Sequence, residues 1–435
     1  MRIAKKLLFI FSLSALLTLS LRASTETLAV QAVSGNSDEA RTAVGKLREM
    51  KQAGLDALFE KYGAEIRRYS ETGEKSEQWR RIAAAIDNVA MQKDAYASRL
   101  FWLTDLEEAK RISKETGKPI LSLRLLGNLN EEFSCANSRF FRAVLYPNAK
   151  ISEYLRTNYI LHWQSVRPAP RITIDFGDGR KIERTVTGNS IHYVLDENGR
   201  VIDALPGLNS PEKFLNFLSE ASNYSRWLAG AKIPLSKEVR DNFLERHRST
   251  RYTFLSRTIN RVGRQVGLKF DTTKKAKREF EEMPPAMIAA AFAATKSIAE
   301  VNILRNITPD LTRYGDEQIN LEQWKKIAEL SQNTAKLDDR SINFIRHQTG
   351  KNNLSEERFK NLMRNLEDYI SVDTARNEFL MRLSLLVWLN KGLDKDVEKL
   401  NEKVYSELFL TPNEDKWLGL YAPDIYTGLD GNGIR

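Results

Sequence analysis

The chain has 435 residues, 42% of them hydrophobic, with 67 Lys plus Arg against 57 Asp plus Glu, 4 His, 1 Cys and a formal net charge of +10. That length and apolar content suit two or three domains with real cores, and they exclude a collagen-like chain, a coiled-coil rod or wholesale disorder. A single cysteine excludes an internal disulfide, so Cys135 is either buried and inert or reactive for a purpose.

At the N-terminus, Arg2, Lys5 and Lys6 precede an uncharged apolar run at 7–21, and small and polar residues follow from Ala23. This is the order of a secretory signal peptide. Cleavage after Ala23 suits the length, with the Val30-Gln31-Ala32 triplet as a later alternative. The apolar run is shorter than the roughly 20 residues of a membrane-spanning helix, which favours removal over anchoring. No cysteine follows it, so no lipoprotein anchor is expected. The expectation is an exported protein, periplasmic or extracellular, with 1–23 removed.

Residues 36–95 read as a helical hairpin. Leu55, Leu58, Phe59, Tyr62, Ile66 and Tyr69 recur at helical spacing before a break at Thr72-Gly73. Trp79, Ile82, Ile86 and Val89 do so after it. From Ala97 the texture changes. Asp105, Glu107 and Glu108 open a helix that Gly117 ends, and Lys118-Pro119 leads into a strand at 120–126. A loop then delivers Cys135 to the start of a helix reaching Leu145. A short helix at 151–156 and a strand at 159–163 follow. Strands at 172–176 and 181–187 flank Gly177-Asp178-Gly179, a hairpin signal, and 191–195 and 200–204 flank Glu197-Asn198-Gly199. A helix at 211–218 closes an α/β layer with a mixed sheet over 96–225. Beyond Trp227 the pattern is all-helical, and 226–435 reads as a helical domain. It includes a helix at 287–299, others marked by Leu321, Trp324 and Ile327 and by Phe359, Leu362 and Leu366, and an apolar stretch at 379–389 that must be buried. The tail, with Trp417, Tyr421 and Tyr426, is expected to pack down.

The order Lys118-Pro119-Ile120, strand, loop, Cys135-Ala136-Asn137-Ser138, helix, and then 151–162 resembles the thioredoxin-like superfamily in a C-x-x-S form. It is nearest to exported and spermatogenesis-associated-type members, whose active cysteine follows such a strand. The phrases Ser134-Cys135-Ala136-Asn137-Ser138-Arg139-Phe140-Phe141, 174–180, 187–196 and 408–412 also resemble an uncharacterised group of secreted bacterial thioredoxin-like proteins. The resemblance implies a thioredoxin-like fold over 96–225, with Cys135 as nucleophile. A helix N-terminus, Arg139 and Arg142 would favour its thiolate, and Ser138 would donate a hydrogen bond to the sulfur. It also implies that a client groove is shaped where such proteins carry a cis-proline, which here falls at Asn189 and Ser190. Two departures follow. Ser138 stands where a resolving cysteine would be, and neither Asn189 nor Ser190 is proline, which argues against dithiol oxidoreductase activity. What remains open is a monothiol forming mixed disulfides with protein clients, or a module in which Cys135 is packed and inert.

Other candidates are weaker. His162 and His192 lie on expected strands, and the scattered histidines make a metal site unexpected. Asp175, Asp178 and Glu183 suit a hairpin better than a calcium loop. No cofactor motif stands out. Arg248, Arg251, Arg257, Arg261 and Arg264, with Lys269 to Arg278, form a basic stretch between Arg246 and Arg278. In an exported protein that points to an anionic surface or acidic partner and not to nucleic acid, or to a solvated helix face. Two functional readings therefore stand: a monothiol redox protein, or a non-catalytic binding or scaffold protein of the cell envelope. An enzyme of another class in the helical part lacks any supporting constellation.

Overall fold

The computed structural model describes residues 24–185, 188–231, 235–267, 321–348, 354–409 and 411. The expected signal peptide, the basic run from Lys269 to Arg278, the helix at 287–299 and the tail aromatics lie outside these residues.

The N-terminal part contains α1 (24–31), α2 (Ser37–Glu49), α3 (Gln52–Lys61), α4 (Gly63–Thr72) and α5 (Glu77–Ala90). Between 36 and 95 there are thus four helices where the apolar spacing suggests a two-helix hairpin. The chain turns at Lys51, with φ of 58°, and at Tyr62, which ends α3 and begins α4. Neither position carries glycine or proline, and the apolar stripe runs on through both turns, so periodicity hides them. Helix α1 docks through Ala29, at 0% exposure, and the Glu26–Lys61 ion pair. Cleavage after Ala32 would strip that helix from the core, whereas cleavage after Ala23 leaves it in place.

Helix α6 (Leu106–Thr116) starts at Asp105, whose carboxylate accepts from the Glu107 and Glu108 amides, and stops at left-handed Gly117. A mixed four-stranded sheet follows, ordered β2-β1-β5-β6. Its strands are β1 (Ile120–Leu126), β2 (Ile160–Arg167), β5 (Ser190–Leu195) and β6 (Val201–Pro206). β1 runs parallel to β2 and antiparallel to β5, and β6 is antiparallel to β5. Between them lie α7 (Ala136–Phe140), α8 (Ala149–Asn158) and a separate exposed hairpin, β3 (Arg171–Asp175) with β4 (Lys181–Thr185). In that hairpin Asp175 accepts from the Gly177 amide and Asp178 from the Arg180 amide, so both acids are spent on the turn.

Helix α9 (Pro211–Ala229) is longer than its sequence signal and carries Trp227 within it. Beyond it come α10 (Lys237–Gln265), α11 (Leu321–Leu330), α12 (Asp339–Gln348), α13 (Glu356–Arg376), α14 (Leu383–Asn390) and α15 (Val397–Lys403). Three π-helical turns interrupt regular geometry, at Phe141–Leu145, Asn377–Arg382 and Val404–Leu408. Each re-aims a buried side chain: Arg142, Arg382 and Tyr405. One core runs from Ala29 through both inner strands to Phe409, so the N-terminal helices, sheet and C-terminal helices share it. A smaller second core around Trp324, Ile327 and Phe379 belongs to the C-terminal helices alone. No helix among the described residues is long and apolar enough to cross a membrane.

Candidate functional site

β1 ends at Leu126, and the loop after it closes when the Cys135 amide donates back to the Leu126 carbonyl at 2.9 Å. Cys135 therefore sits at the N-cap of α7, at the end of the central strand. Its side chain is at 0% exposure, within the hydrophobic core. The thiol donates to Ser138 Oγ at 3.4 Å, while Ser138 donates its own proton to the Cys135 carbonyl at 2.8 Å. The expected direction is thus reversed: the serine accepts from the sulfur instead of donating to it, because its own proton is committed to the Cys135 carbonyl.

The arginines expected beside the sulfur are engaged elsewhere. Arg139 donates to Thr185 Oγ1 at 2.9 Å, and Arg142 donates to the Glu132 carbonyl at 3.3 Å. The tyrosines Tyr146 and Tyr405 flank the cysteine. Burial, followed by the nearby Cys135 sulfur, pushes both phenols well above the ordinary range. His192 accompanies them, its Nε2 2.9 Å from the Tyr146 hydroxyl and its ring between Phe141 and Phe214.

Asn189 and Ser190 stand at the start of β5, opposite the end of β1, and no described peptide bond is cis. Both are at 0% exposure, so they form no open groove. The segment after α15 covers them. Tyr405 donates to the Asn189 carbonyl at 3.1 Å, and the Asn189 side-chain amide donates to Thr411 Oγ1 at 3.0 Å. Arg167 fixes the same segment through the Thr411 carbonyl at 2.5 Å. The phrase at 408–412 carries nothing in its sequence that says where this segment docks.

A buried polar cluster occupies the sheet beside it. Ser122 and Arg124 on β1, His162 on β2 and Glu398 on α15 form one network. The Ser122 Oγ lies 2.9 Å from His162 Nδ1, and Arg124 donates to Glu398 at 2.5 Å. Ser122 and His162 are at 0% exposure, and the Arg124–Glu398 ion pair ties α15 to the sheet beside them. No group of three or more His, Cys, Asp or Glu among the described residues could hold a metal ion.

A cavity of about 1050 Å³ among the described residues is lined in part by the segment that follows Cys135. α5, the Arg139–Ala143 stretch, α12 and α13 enclose it. Sequence reasoning missed it, because its walls come from many segments far apart in the chain.

The buried histidines make a prediction about acid stability. Burial holds His192 down to about 3 from 6.5, and burial with the Arg124 charge does the same to His162. Asp87 is raised to about 6 from 3.8, since burial outweighs the Lys93 ammonium. Unfolding frees each histidine to take a proton, so stability falls as pH drops from 6.5 towards 3, by about 1.4 kcal/mol per pH unit for each. Asp87 binds its proton more tightly when folded, so it offsets part of that loss between pH 6 and 3.8. Urea titrations from neutral pH to about pH 5 are expected to show this decline, with a shallower slope for His192→Leu. An equal slope in both proteins would contradict a buried neutral His192.

No protein-family model matches the chain, and no curated protein or solved structure matches it.

Proposed function

We propose that this chain is an exported thioredoxin-like protein that works by binding, with Cys135 serving as a packed core residue. The strand order β2-β1-β5-β6, with one parallel and two antiparallel pairings, supports the thioredoxin-like part of the reading. The basic start and apolar run at 7–21 support export.

The observation that carries the binding part is the closed state of Cys135. A reactive thiol needs exposure and a stabilised thiolate. Here the sulfur is fully buried and donates its proton to Ser138, and Tyr405 and Thr411 cover the place a client would dock.

The partner reading now rests on part of the basic stretch. Arg248 turns inward at 2% exposure, and Arg251 pairs with Glu220. Arg246, Arg257 and Arg261 remain exposed on α10 around Phe254, itself 56% exposed, and would meet an acidic partner there.

Trapping of disulfide-linked complexes in intact cells, read by mass spectrometry, tests the reading. The expected result is no complex that depends on Cys135. Recovery of specific clients lost in Cys135→Ala would establish the monothiol function instead.

A further inference from the structure

We propose that the cavity between α5, the π turn after α7 and helices α12 and α13 binds an amphipathic anion, a carboxylate or phosphate head on an apolar body. This deepens the binding reading and rests on it. A volume of about 1050 Å³ suits a small-molecule ligand.

The lining is mixed in chemistry. Arg139, Arg142, Arg376 and Lys93 are among its lining residues, and of the described lining residues Lys and Arg outnumber Asp and Glu by 6 to 3, with Lys93 paired to Asp87. Ile345, Leu362, Met363 and Leu366 supply an aliphatic part. Trp79, stacked on Tyr69 with ring centroids 4.1 Å apart, and Tyr96 edge-on to both make an aromatic rim. The lining thus combines an excess of positive charge with apolar surface.

Arg142 points to the head group. It lines the cavity at only 4% exposure. Its nearest carboxylate oxygen, on Asp94, stands 3.9 Å from Nη1, beyond hydrogen-bond reach, and Nε and Nη1 have no hydrogen-bond partner. A guanidinium taken out of water without a bonded anion is costly. A carboxylate or phosphate admitted to the cavity would complete its bonding and be held by charge-assisted hydrogen bonds. The π turn that places Arg142 directly follows the short helix of Cys135, so the end of the sheet that closes the cysteine also presents this arginine.

Isothermal titration calorimetry on the folded chain tests the proposal, with sodium dodecanoate, dodecyl phosphate, inorganic phosphate and dodecanol as separate probes below any micelle concentration. Saturable binding of dodecanoate or dodecyl phosphate is expected. Dodecanol and inorganic phosphate are each expected to bind at least about tenfold more weakly, since each satisfies only part of the lining. Arg142→Met is expected to weaken the anion by about tenfold or more. Leu362→Trp, which adds bulk to the apolar lining and leaves the arginines alone, is expected to weaken it as well, and this covers the case in which Arg142→Met fails to fold. Equal binding of dodecanol, no binding of either amphipathic anion, or full affinity in a folded Arg142→Met or Leu362→Trp chain would overturn the proposal. The two readings fail separately. Loss of anion binding while Cys135 stays closed defeats this one alone, and a reactive Cys135 beside intact anion binding defeats only the reading beneath it.

Discussion

Replacing Asp203 with alanine is expected to destabilise the protein by about 3–5 kcal/mol, the largest single-residue effect in the fold. Asp203 lies on β6 at 0% exposure, and its Oδ2 meets Arg382 Nη2 at 2.6 Å. Arg382 is also at 0% exposure, on the π turn between α13 and α14, and lies 5.3 Å from the centre of the Phe217 ring. Burial, the largest single influence, would raise the Asp203 carboxyl. The Arg382 charge, His247, the Ala204 amide and Arg251 together outweigh burial and hold the group below its ordinary value. Removing the aspartate strands a guanidinium in the core, and the cost is that of an uncompensated buried charge. Removing both partners, as Asp203→Val with Arg382→Met, is expected to recover most of the loss, because neither change then leaves a charge unpaired. Urea midpoints of the three proteins decide the matter. An Asp203→Ala chain within about 1 kcal/mol of the parent would mean that water or a neighbour replaces the lost carboxylate.

Arg248 should behave as a core residue and its neighbours on α10 as surface residues. Its guanidinium donates to the Val201 carbonyl at 2.5 Å, to the Ile202 and Leu389 carbonyls at 3.2 and 3.3 Å, and to Asp394. Arg248→Ala removes a donor from three carbonyls at the seam between β6 and the C-terminal helices, of which Leu389 keeps the Gly392 amide. Asp394 keeps Arg200, at 2.6 Å, so the expected loss of about 3 kcal/mol lies below that of Asp203→Ala. Arg257→Ala and Arg261→Ala, both exposed, are expected within about 0.5 kcal/mol of the parent. Thermal melts compare all three. Equal effects along the helix would contradict the division of the basic stretch into an inward and an outward part.

The two arginine results bear on what the sequence could reveal. Local signals were legible. Asp105 and Gly117 bound α6 because capping chemistry acts within a few residues, and the Asp-Gly and Asn-Gly turns mark both hairpins for the same reason. The placement of Cys135 at the end of β1 was legible too. Its burial was not, because the cover comes from Tyr405 and Thr411, about 270 residues further along the chain, through contacts that leave no periodic trace. The direction of the Cys135–Ser138 hydrogen bond depends on the Ser138 proton finding the backbone carbonyl, which the motif C-x-x-S does not specify. Arg248 failed in a different way. A run of basic residues on one helix reads as a single charged face, but the helix turns Arg248 towards β6 and leaves Arg257 and Arg261 outside. Buried arginines at Arg124, Arg248 and Arg382 tie the sheet to the helices after it, so the boundary near residue 226 is crossed by the Arg124–Glu398 and Asp203–Arg382 ion pairs, by the Arg248 hydrogen bonds to Val201 and Ile202, and by the shared core.

The measurement closest to the central claim is the rate of Cys135 alkylation by iodoacetamide, in the folded protein and in urea, across neutral to alkaline pH. A closed thiol at 0% exposure predicts negligible labelling of the folded chain and complete labelling once it unfolds, with the folded rate following the opening equilibrium. Fast labelling of the folded protein at neutral pH, with a rate midpoint below that of an ordinary thiol, would contradict the account and restore Cys135 as a nucleophile.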